Sequence, residues 1–125
     1  MTRALVLFAH GARDSRWAEP FEAVAERIRK AEPALAVRLA FLEMMAPTLG
    51  DAVGALAAEG ASEVDVVPLF LGTGGHLRKD LPPLVDGMRA AYPGLAIRIH
   101  AAIGEHPAVL DAMARACLDA MGFGE

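Results

Sequence analysis

The chain has 125 residues, of which 54% are hydrophobic and 22% charged, and its formal net charge is −4. A length in this range predicts a single domain over residues 1–125, because domains most often contain about 100–150 residues. The apolar fraction excludes a disordered chain. The acidic balance argues against a general nucleic-acid binder, since such proteins need an excess of Lys and Arg to neutralise phosphates.

Cysteine usage and hydropathy predict a cytoplasmic protein. Cys117 is the single cysteine, so an intramolecular disulfide cannot form and a reducing compartment is expected. The N-terminus lacks a signal-peptide pattern, and no apolar stretch approaches the ~20 residues that a membrane helix needs. We therefore expect no membrane association, and apolar residues buried in a core or a subunit interface.

Strand-like and helix-like segments alternate along the chain. Compact apolar runs predict buried strands at residues 4–9, 37–42, 64–71 and 95–99. Apolar positions three and four residues apart predict helices at 16–31, 47–60, 84–91 and 107–121. Pro47 is expected in the first turn of the second helix, and Gly60 is expected to cap its end.

Strands that are each followed by a helix predict an open α/β domain. Its sheet should be four-stranded, parallel and doubly wound, with helices on both faces. In the flavodoxin-like strand order 2-1-3-4, the winding reverses between the first and third strands. Ligands bind beyond the carboxyl ends of the strands at that point.

Titratable residues follow the strands that meet there. His10 and His76 follow the first and third strands, and Glu43 follows the second. Two imidazoles and a carboxylate suit a borderline divalent metal and proton transfer. The alternative is that the histidines are hydrogen-bonded loop residues and Glu43 a solvated acid. His100 is expected to be structural and His106 to begin the last helix.

The segment GTGG at 72–75 separates the third strand from His76. Glycines let the backbone come close to a ligand, so binding of a phosphate group by this segment is an alternative. The segment lacks the Lys-Ser/Thr of a P-loop and the GxGxxG spacing, so this phosphate signal is weak.

Several short motifs, in this order, resemble the CbiX-type sirohydrochlorin chelatases of the class II chelatase family, particularly their short form. They are HGARD at 10–14, FLE at 41–43 with Pro47, PLFL at 68–71, GGHL at 74–77, DLP at 80–82 and GEHP at 104–107. The sequence departs from the family at Ala12, where Ser is usual, and at Gly75, where a larger or basic residue is common.

The resemblance implies a lyase that inserts Co²⁺ or Fe²⁺ into sirohydrochlorin, toward cobalamin or sirohaem. Identical ligands would also serve Ni²⁺. His10 and His76 match the family's active-site histidines and Glu43 its active-site acid, so these three residues are the expected metal ligands. The resemblance implies neither ATP nor a redox cofactor. It also implies a homodimer that holds the macrocycle in a cleft between its halves.

Basic residues beside the histidines are candidates for binding the carboxylates of that substrate, because Arg binds a carboxylate through two parallel hydrogen bonds. Backbone amides at the helix starts near Gly11 and Gly74 would add to this anion site. The basic candidates are Arg13, Arg16, Arg78 and Lys79, and the glycine candidates are Gly74 and Gly75. Their alternative role is that of ordinary surface residues.

Two other classes of function remain open. A non-catalytic carrier of metal or tetrapyrrole would bind stoichiometrically and yield no metallated product. A domain that binds a phosphorylated ligand through the glycine segment would be stabilised by nucleotides or flavin and not by porphyrinoids.

Overall fold

The computed structural model describes residues 2–72 and 74–123, except for the side chain of His76. Thr73 of the predicted glycine segment is therefore outside the described residues. The strands are β1 (Thr2–Ala9), β2 (Ala36–Phe41), β3 (Ala61–Pro68) and β4 (Ala96–Ile99). The helices are α1 (Glu19–Ala31), α2 (Leu49–Ala58), α3 (Gly75–Ala91) and α4 (Pro107–Ala120), and 3-10 turns at Ser15–Ala18 and Ile103–Glu105 precede α1 and α4.

The strands form a parallel sheet in the order β2-β1-β3-β4. This confirms the predicted α/β fold and the predicted strand order. β1 lies between β2 and β3 and pairs with both over most of its length. Because all pairs are parallel, the carboxyl ends of these three strands meet at one edge of the sheet.

Apolar side chains fill both faces of the sheet, since strand residues alternate between the faces. One face packs against α2 and α3, in a cluster that includes Val6, Phe8, Val66, Val53 and Met88. The other face packs against α1 through Leu7, Val37 and Ala25. The prediction of helices on both faces is confirmed. Among the described residues, no helix is both long and apolar enough to cross a membrane.

The third strand and the third helix both begin earlier than predicted. β3 begins at Ala61 instead of residue 64 and ends at Pro68. α3 begins at Gly75 instead of residue 84, with Gly74 as its N-cap residue. Pro82 and Pro83 lie inside α3, although proline lacks the amide hydrogen that a helix interior uses. For this reason the sequence analysis predicted that the helix begins after the two prolines. His76, Arg78 and Lys79 consequently lie in the first turns of a helix and not in a loop.

The starts of the first two helices also differ from prediction. Residues 15–18 form a 3-10 turn, and α1 begins at Glu19, because Pro20 suits a first helical turn. Pro47 lies before α2, where Thr48 is the N-cap residue and accepts a hydrogen bond from the amide of Asp51. Gly60 follows α2 with a φ of 94°, as expected of a glycine that ends a helix.

Asp65 interrupts the apolar run of β3 and shows that this strand is not apolar on both faces. Its side chain accepts hydrogen bonds from Arg3 and Arg98 and contacts the ring of His100 at 2.8 Å. The bonds from Arg98, together with those from His100 and Arg3, hold the pKa of Asp65 well below its usual range, although burial acts to raise it. His100 therefore has a structural partner, as predicted.

Asp65→Asn should lower the free energy of unfolding by about 1–3 kcal/mol at pH 7, because two arginines lose a charged acceptor. A depressed carboxyl pKa stabilises the fold above the unfolded value of about 3.9, and this contribution is lost as the pH falls below it. Urea unfolding at pH 7 and pH 3 measures this contribution. Between these pH values, the free energy of unfolding should fall less in the variant than in the wild-type protein. Asp86→Asn, at an exposed residue with a long 3.7 Å ion pair, is the control. Equal stability of the two variants at pH 7 would contradict the prediction.

Candidate active site at the carboxyl edge of the sheet

The segments that follow β1 and β2 are held together by backbone hydrogen bonds. The amide of Leu42 donates to the carbonyl of Ala9 at 2.9 Å, and the amide of Glu43 donates to the carbonyl of His10 at 3.0 Å. The parallel pairing thus continues two residues beyond the strands. It fixes the backbones of His10 and Glu43 side by side.

Gly11 permits this close approach. Its φ is 99°, which side-chain-bearing residues rarely adopt, and a Cβ atom placed there would lie 1.9 Å from the carbonyl oxygen of Glu43. Any side chain at position 11 would push the two segments apart. Glycine is therefore required between His10 and the rest of its loop.

His10 and Glu43 are in direct contact. The Nε2 atom of His10 lies 3.0 Å from Oε2 of Glu43, and the side chains are 55% and 51% exposed. A carboxylate oxygen accepts hydrogen bonds, and an imidazole nitrogen that carries hydrogen donates one to it. The contact supplies one nitrogen and one oxygen donor that solvent and ligands can reach.

Phe70 connects this pair to the core. Its ring meets that of His10 edge to face at a centroid distance of 6.2 Å, and that of the buried Phe8 at 5.8 Å. The contact restricts the orientation of the imidazole. A fixed ring orientation is useful in a ligand because less conformational entropy is lost on binding.

The segment that follows β3 is held at the same edge. The amide of Leu69 donates to the carbonyl of Phe8, and the amide of Gly104 donates to the carbonyl of Phe70. A Cβ atom at position 104 would lie 2.1 Å from the carbonyl oxygen of Leu71. Gly104 thus lets the 3-10 turn before α4 pack directly on the segment that leads to α3.

The backbone of His76 lies in the first turn of α3, directly after this segment. Its side chain is outside the described residues, so its distance from His10 remains a prediction. Among the side chains that the structure describes, no group of three or more His, Cys, Asp or Glu residues is placed to hold a metal. The pair of His10 and Glu43 is the part of the predicted ligand set that the structure describes.

The predicted anion-binding residues are exposed near this edge. Arg13 and Lys79 are solvent-accessible, as are Gly74 and Gly75 at the start of α3. Arg78 borders a cavity of about 310 Å³ that also touches Leu81 and Ile99. Arg16, which also flanks His10 in sequence, is engaged elsewhere: it binds Asp14 at 2.7 Å, and this hydrogen bond lowers the pKa of Asp14.

Apolar residues beside the site are exposed, which the sequence pattern did not predict. Leu42, Met44 and Leu71 are 38%, 61% and 68% exposed. The first two belong to the segment that follows β2, and Leu71 belongs to the segment that follows β3. Met44 has a φ of 65°, in the left-handed region that non-glycine residues seldom adopt. These side chains form an apolar rim next to the polar pair.

Gly11→Ala should lower the free energy of unfolding by about 2–4 kcal/mol, because the added methyl group meets a carbonyl oxygen and the φ is unfavourable. It should also separate His10 from Glu43 and weaken Co²⁺ binding in calorimetry. Gly50→Ala is the matched control, since Gly50 has open space around its Cβ position and lies in α2. A Gly11→Ala protein as stable as that control would refute this role of Gly11.

The chain is similar in sequence to a known protein family and to characterised members of it. The CbiX family model matches residues 4–120. The sirohydrochlorin cobaltochelatase of Saccharolobus solfataricus is 35% identical over 99 residues, which cover 76% of each chain. That of Methanococcus aeolicus is 34% identical over 82 residues, which cover 66% of this chain and 57% of the relative.

Solved structures give the same result in three dimensions. A CbiX protein of cobalamin biosynthesis from Marinobacter aquaeolei superposes with a TM-score of 0.84 at 32% identity, over 98% of this chain and 99% of that one. The sirohydrochlorin chelatase SirB from Bacillus subtilis, in complex with cobalt, gives a TM-score of 0.81 at 28% identity over 95% of this chain. This chain spans about half of SirB, 51% of its length. The match over nearly the whole chain, together with the strand order and the motifs at the strand ends, shows that the protein belongs to the CbiX family.

Proposed function

We propose that this protein inserts a divalent metal ion, Co²⁺ or Fe²⁺, into sirohydrochlorin, on the way to cobalamin or sirohaem. The observation that carries the proposal is the contact of His10 with Glu43 at the carboxyl edge of the sheet. The names of the relatives support the substrate, and SirB structures with cobalt and with Fe³⁺ support a metal site in such folds.

Metal insertion requires ligand exchange and proton removal. The ion exchanges its bound water for the ring nitrogens, and the macrocycle releases two protons as its pyrrole N–H bonds break. Imidazole nitrogen and carboxylate oxygen bind divalent ions of this kind, and both groups serve as general bases in enzymes. We assign His10, Glu43 and His76 to holding the ion, and His10 and His76 to proton abstraction.

The reaction needs no other cofactor in this proposal. Insertion of Co²⁺ or Fe²⁺ leaves the oxidation state of the metal unchanged, so no redox partner is required. The release of two protons and the formation of bonds to ring nitrogens provide the driving force, so ATP is not required either. The metal is a substrate, and the same donors would accept Ni²⁺.

The surface around the pair suits a flat molecule with acidic substituents. The apolar rim of Leu42, Met44 and Leu71 can contact the face of a macrocycle, since burial of apolar area favours binding. Arg13, Arg78 and Lys79, with backbone amides at the start of α3, can bind its carboxylates. In this arrangement the reactive centre of the macrocycle lies over His10 and Glu43.

The half-exposed pair also suggests that a second chain completes the site. We propose a cytoplasmic homodimer of one-domain chains, with the macrocycle held between the two halves. A cleft that excludes water would strengthen the electrostatic contacts to the metal and the carboxylates.

His10→Ala and His76→Ala should each reduce Co²⁺ insertion into sirohydrochlorin by about 100-fold or more, because a donor and a proton acceptor are lost. The measurement is the absorbance change of the macrocycle under anaerobic conditions. His106→Asn is the matched control, since His106 accepts the amide hydrogen of Ala108 at the start of α4 and Asn can replace it there.

The same assay distinguishes an enzyme from a carrier. Repeated turnover by the wild-type protein and the control supports a chelatase. A stoichiometric complex without metallated product would contradict the proposal and favour a carrier. Wild-type rates in either histidine variant would refute the assignment of that residue.

Replacing Arg78 and Lys79 together by Gln should raise the Kd for sirohydrochlorin about 10-fold or more and change turnover at saturation less, because these residues contact substrate carboxylates and not the reacting centre. The control is the double change Arg27→Gln and Lys30→Gln on α1, which alters net charge equally. Fluorescence titration gives the Kd. An equal Kd in both variants would show that the basic residues of α3 do not bind the macrocycle.

A further inference from the structure

The chain repeats one order of strands and helices. The first half contains β1, α1, β2 and α2 over residues 2–58, and the second half contains β3, α3, β4 and α4 over residues 61–120. The sequence repeats as well, at a spacing of 60 residues, where α1 and α3 end and β2 and β4 begin. The identical residues there are Arg29 and Arg89, Pro33 and Pro93, Leu35 and Leu95, and Arg38 and Arg98.

The repeated residues make the same contacts in both halves. Arg29 of α1 donates a hydrogen bond to the carbonyl of Val37 in β2 at 2.7 Å. Arg89 of α3 donates to the carbonyl of Ile97 in β4, also at 2.7 Å. Both strands lie at the edges of the sheet. The two halves therefore have the same local structure where a helix leads into an edge strand.

The halves meet along β1 and β3, where each residue lies beside its counterpart. The register pairs Phe8 with Pro68 at the end of the two strands, again at a spacing of 60 residues. The amide of Leu69 donates to the carbonyl of Phe8, so the pairing continues past the strand ends. Two residues further along, the counterpart of His10 is Phe70.

The segments that follow the strands are also joined in the same way. In the first half, the amide of Glu43 donates to the carbonyl of His10 at 3.0 Å. In the second half, the amide of Gly104 donates to the carbonyl of Phe70 at 2.9 Å. The counterparts of the histidine and the glutamate are thus a phenylalanine and a glycine. At these positions the first half carries donor atoms, and the second half carries an apolar ring.

We propose that Phe70 is a positioning residue for His10, so that the second half holds in place a ligand that the first half supplies. The ring of Phe70 meets the imidazole edge to face, at an interplanar angle of 80° and a centroid distance of 6.2 Å. The buried ring of Phe8 contacts Phe70 at 5.8 Å and connects it to the core. Aromatic pairs prefer such edge-to-face arrangements, so this contact favours one orientation of the imidazole.

Glu43 by itself does not fix the imidazole. The two side chains are joined at one pair of atoms, Nε2 of His10 and Oε2 of Glu43, and both are about half exposed. A ring held by one hydrogen bond can still turn about it, and the contact with Phe70 supplies the second restraint. Without it, His10 has more conformational freedom to lose when it binds a metal ion, which weakens binding.

This role rests on the proposed function for the use of His10 as a metal ligand. The orientation of the imidazole, in contrast, is a property of the metal-free protein. It can be measured without substrate and without turnover. The positioning role and the proposed function can therefore be tested separately.

Phe70→Leu keeps an apolar side chain and removes the flat ring. In the metal-free protein, three-bond couplings measured by NMR should show one dominant χ1 rotamer of His10 in the wild type and an average over rotamers in the variant. The Kd for Co²⁺, measured by anaerobic calorimetry, should rise about 3–10-fold with the loss of one aromatic pair. Phe70→Tyr keeps the ring, so it should retain the single rotamer and the wild-type Kd.

Phe21→Leu is the matched control. It removes an aromatic contact from the packing of α1, since the ring of Phe21 lies against that of Trp17 at a centroid distance of 4.6 Å. The chemical change is the same as in Phe70→Leu. The rotamer of His10 and the Kd for Co²⁺ should both stay at their wild-type values.

Several results would overturn the positioning role. Equal changes in Phe70→Leu and Phe21→Leu would show a general loss of packing. Averaged His10 rotamers in the wild type or in Phe70→Tyr, and a single rotamer or an unchanged Kd in Phe70→Leu, would each exclude it. An active chelatase whose His10 rotamer is independent of residue 70 refutes only this inference. A protein in which Phe70 fixes the rotamer but no metal is inserted refutes only the proposed function.

Discussion

The pairing of β1 with both of its neighbours is the constraint on which the rest of the structure depends. It places three strand ends at one edge, and its hydrogen bonds continue beyond the strands as far as Glu43. Gly11 is required because the two segments approach more closely than a side chain permits. The contact between His10 and Glu43 follows from this backbone arrangement and not from an independent loop structure.

A second close approach connects the candidate site to the C-terminal helix. Gly104 packs on Leu71, in the segment that leads to α3 and His76, and the same turn directs the start of α4. A change at this junction would move the histidine-bearing turn and the helix together. The positions of the turn that carries His76 and of the start of α4 are therefore linked.

The two faces of the sheet have different chemical characters. The face toward α2 and α3 is apolar along β3, whereas the other face carries Asp65 with its partners Arg98, Arg3 and His100. Charged residues that satisfy one another tolerate partial burial, so this face can stay partly exposed to water. A uniformly apolar face would instead require a permanent cover within the chain.

The alternation of apolar runs determined the four strands, their parallel order and the placement of His10 and Glu43 after neighbouring strands, because side-chain periodicity records which faces are buried. The sequence by itself also carried the family resemblance, through motifs at the strand ends. Only the tertiary structure decided the 3.0 Å contact of that pair, the positive φ at Gly11, the start of α3 ahead of two prolines and the partners of Asp65. These features depend on segments distant in sequence, and periodicity does not reveal which distant segment covers a face. For the same reason, the exposure of α4 is apparent only in the tertiary structure.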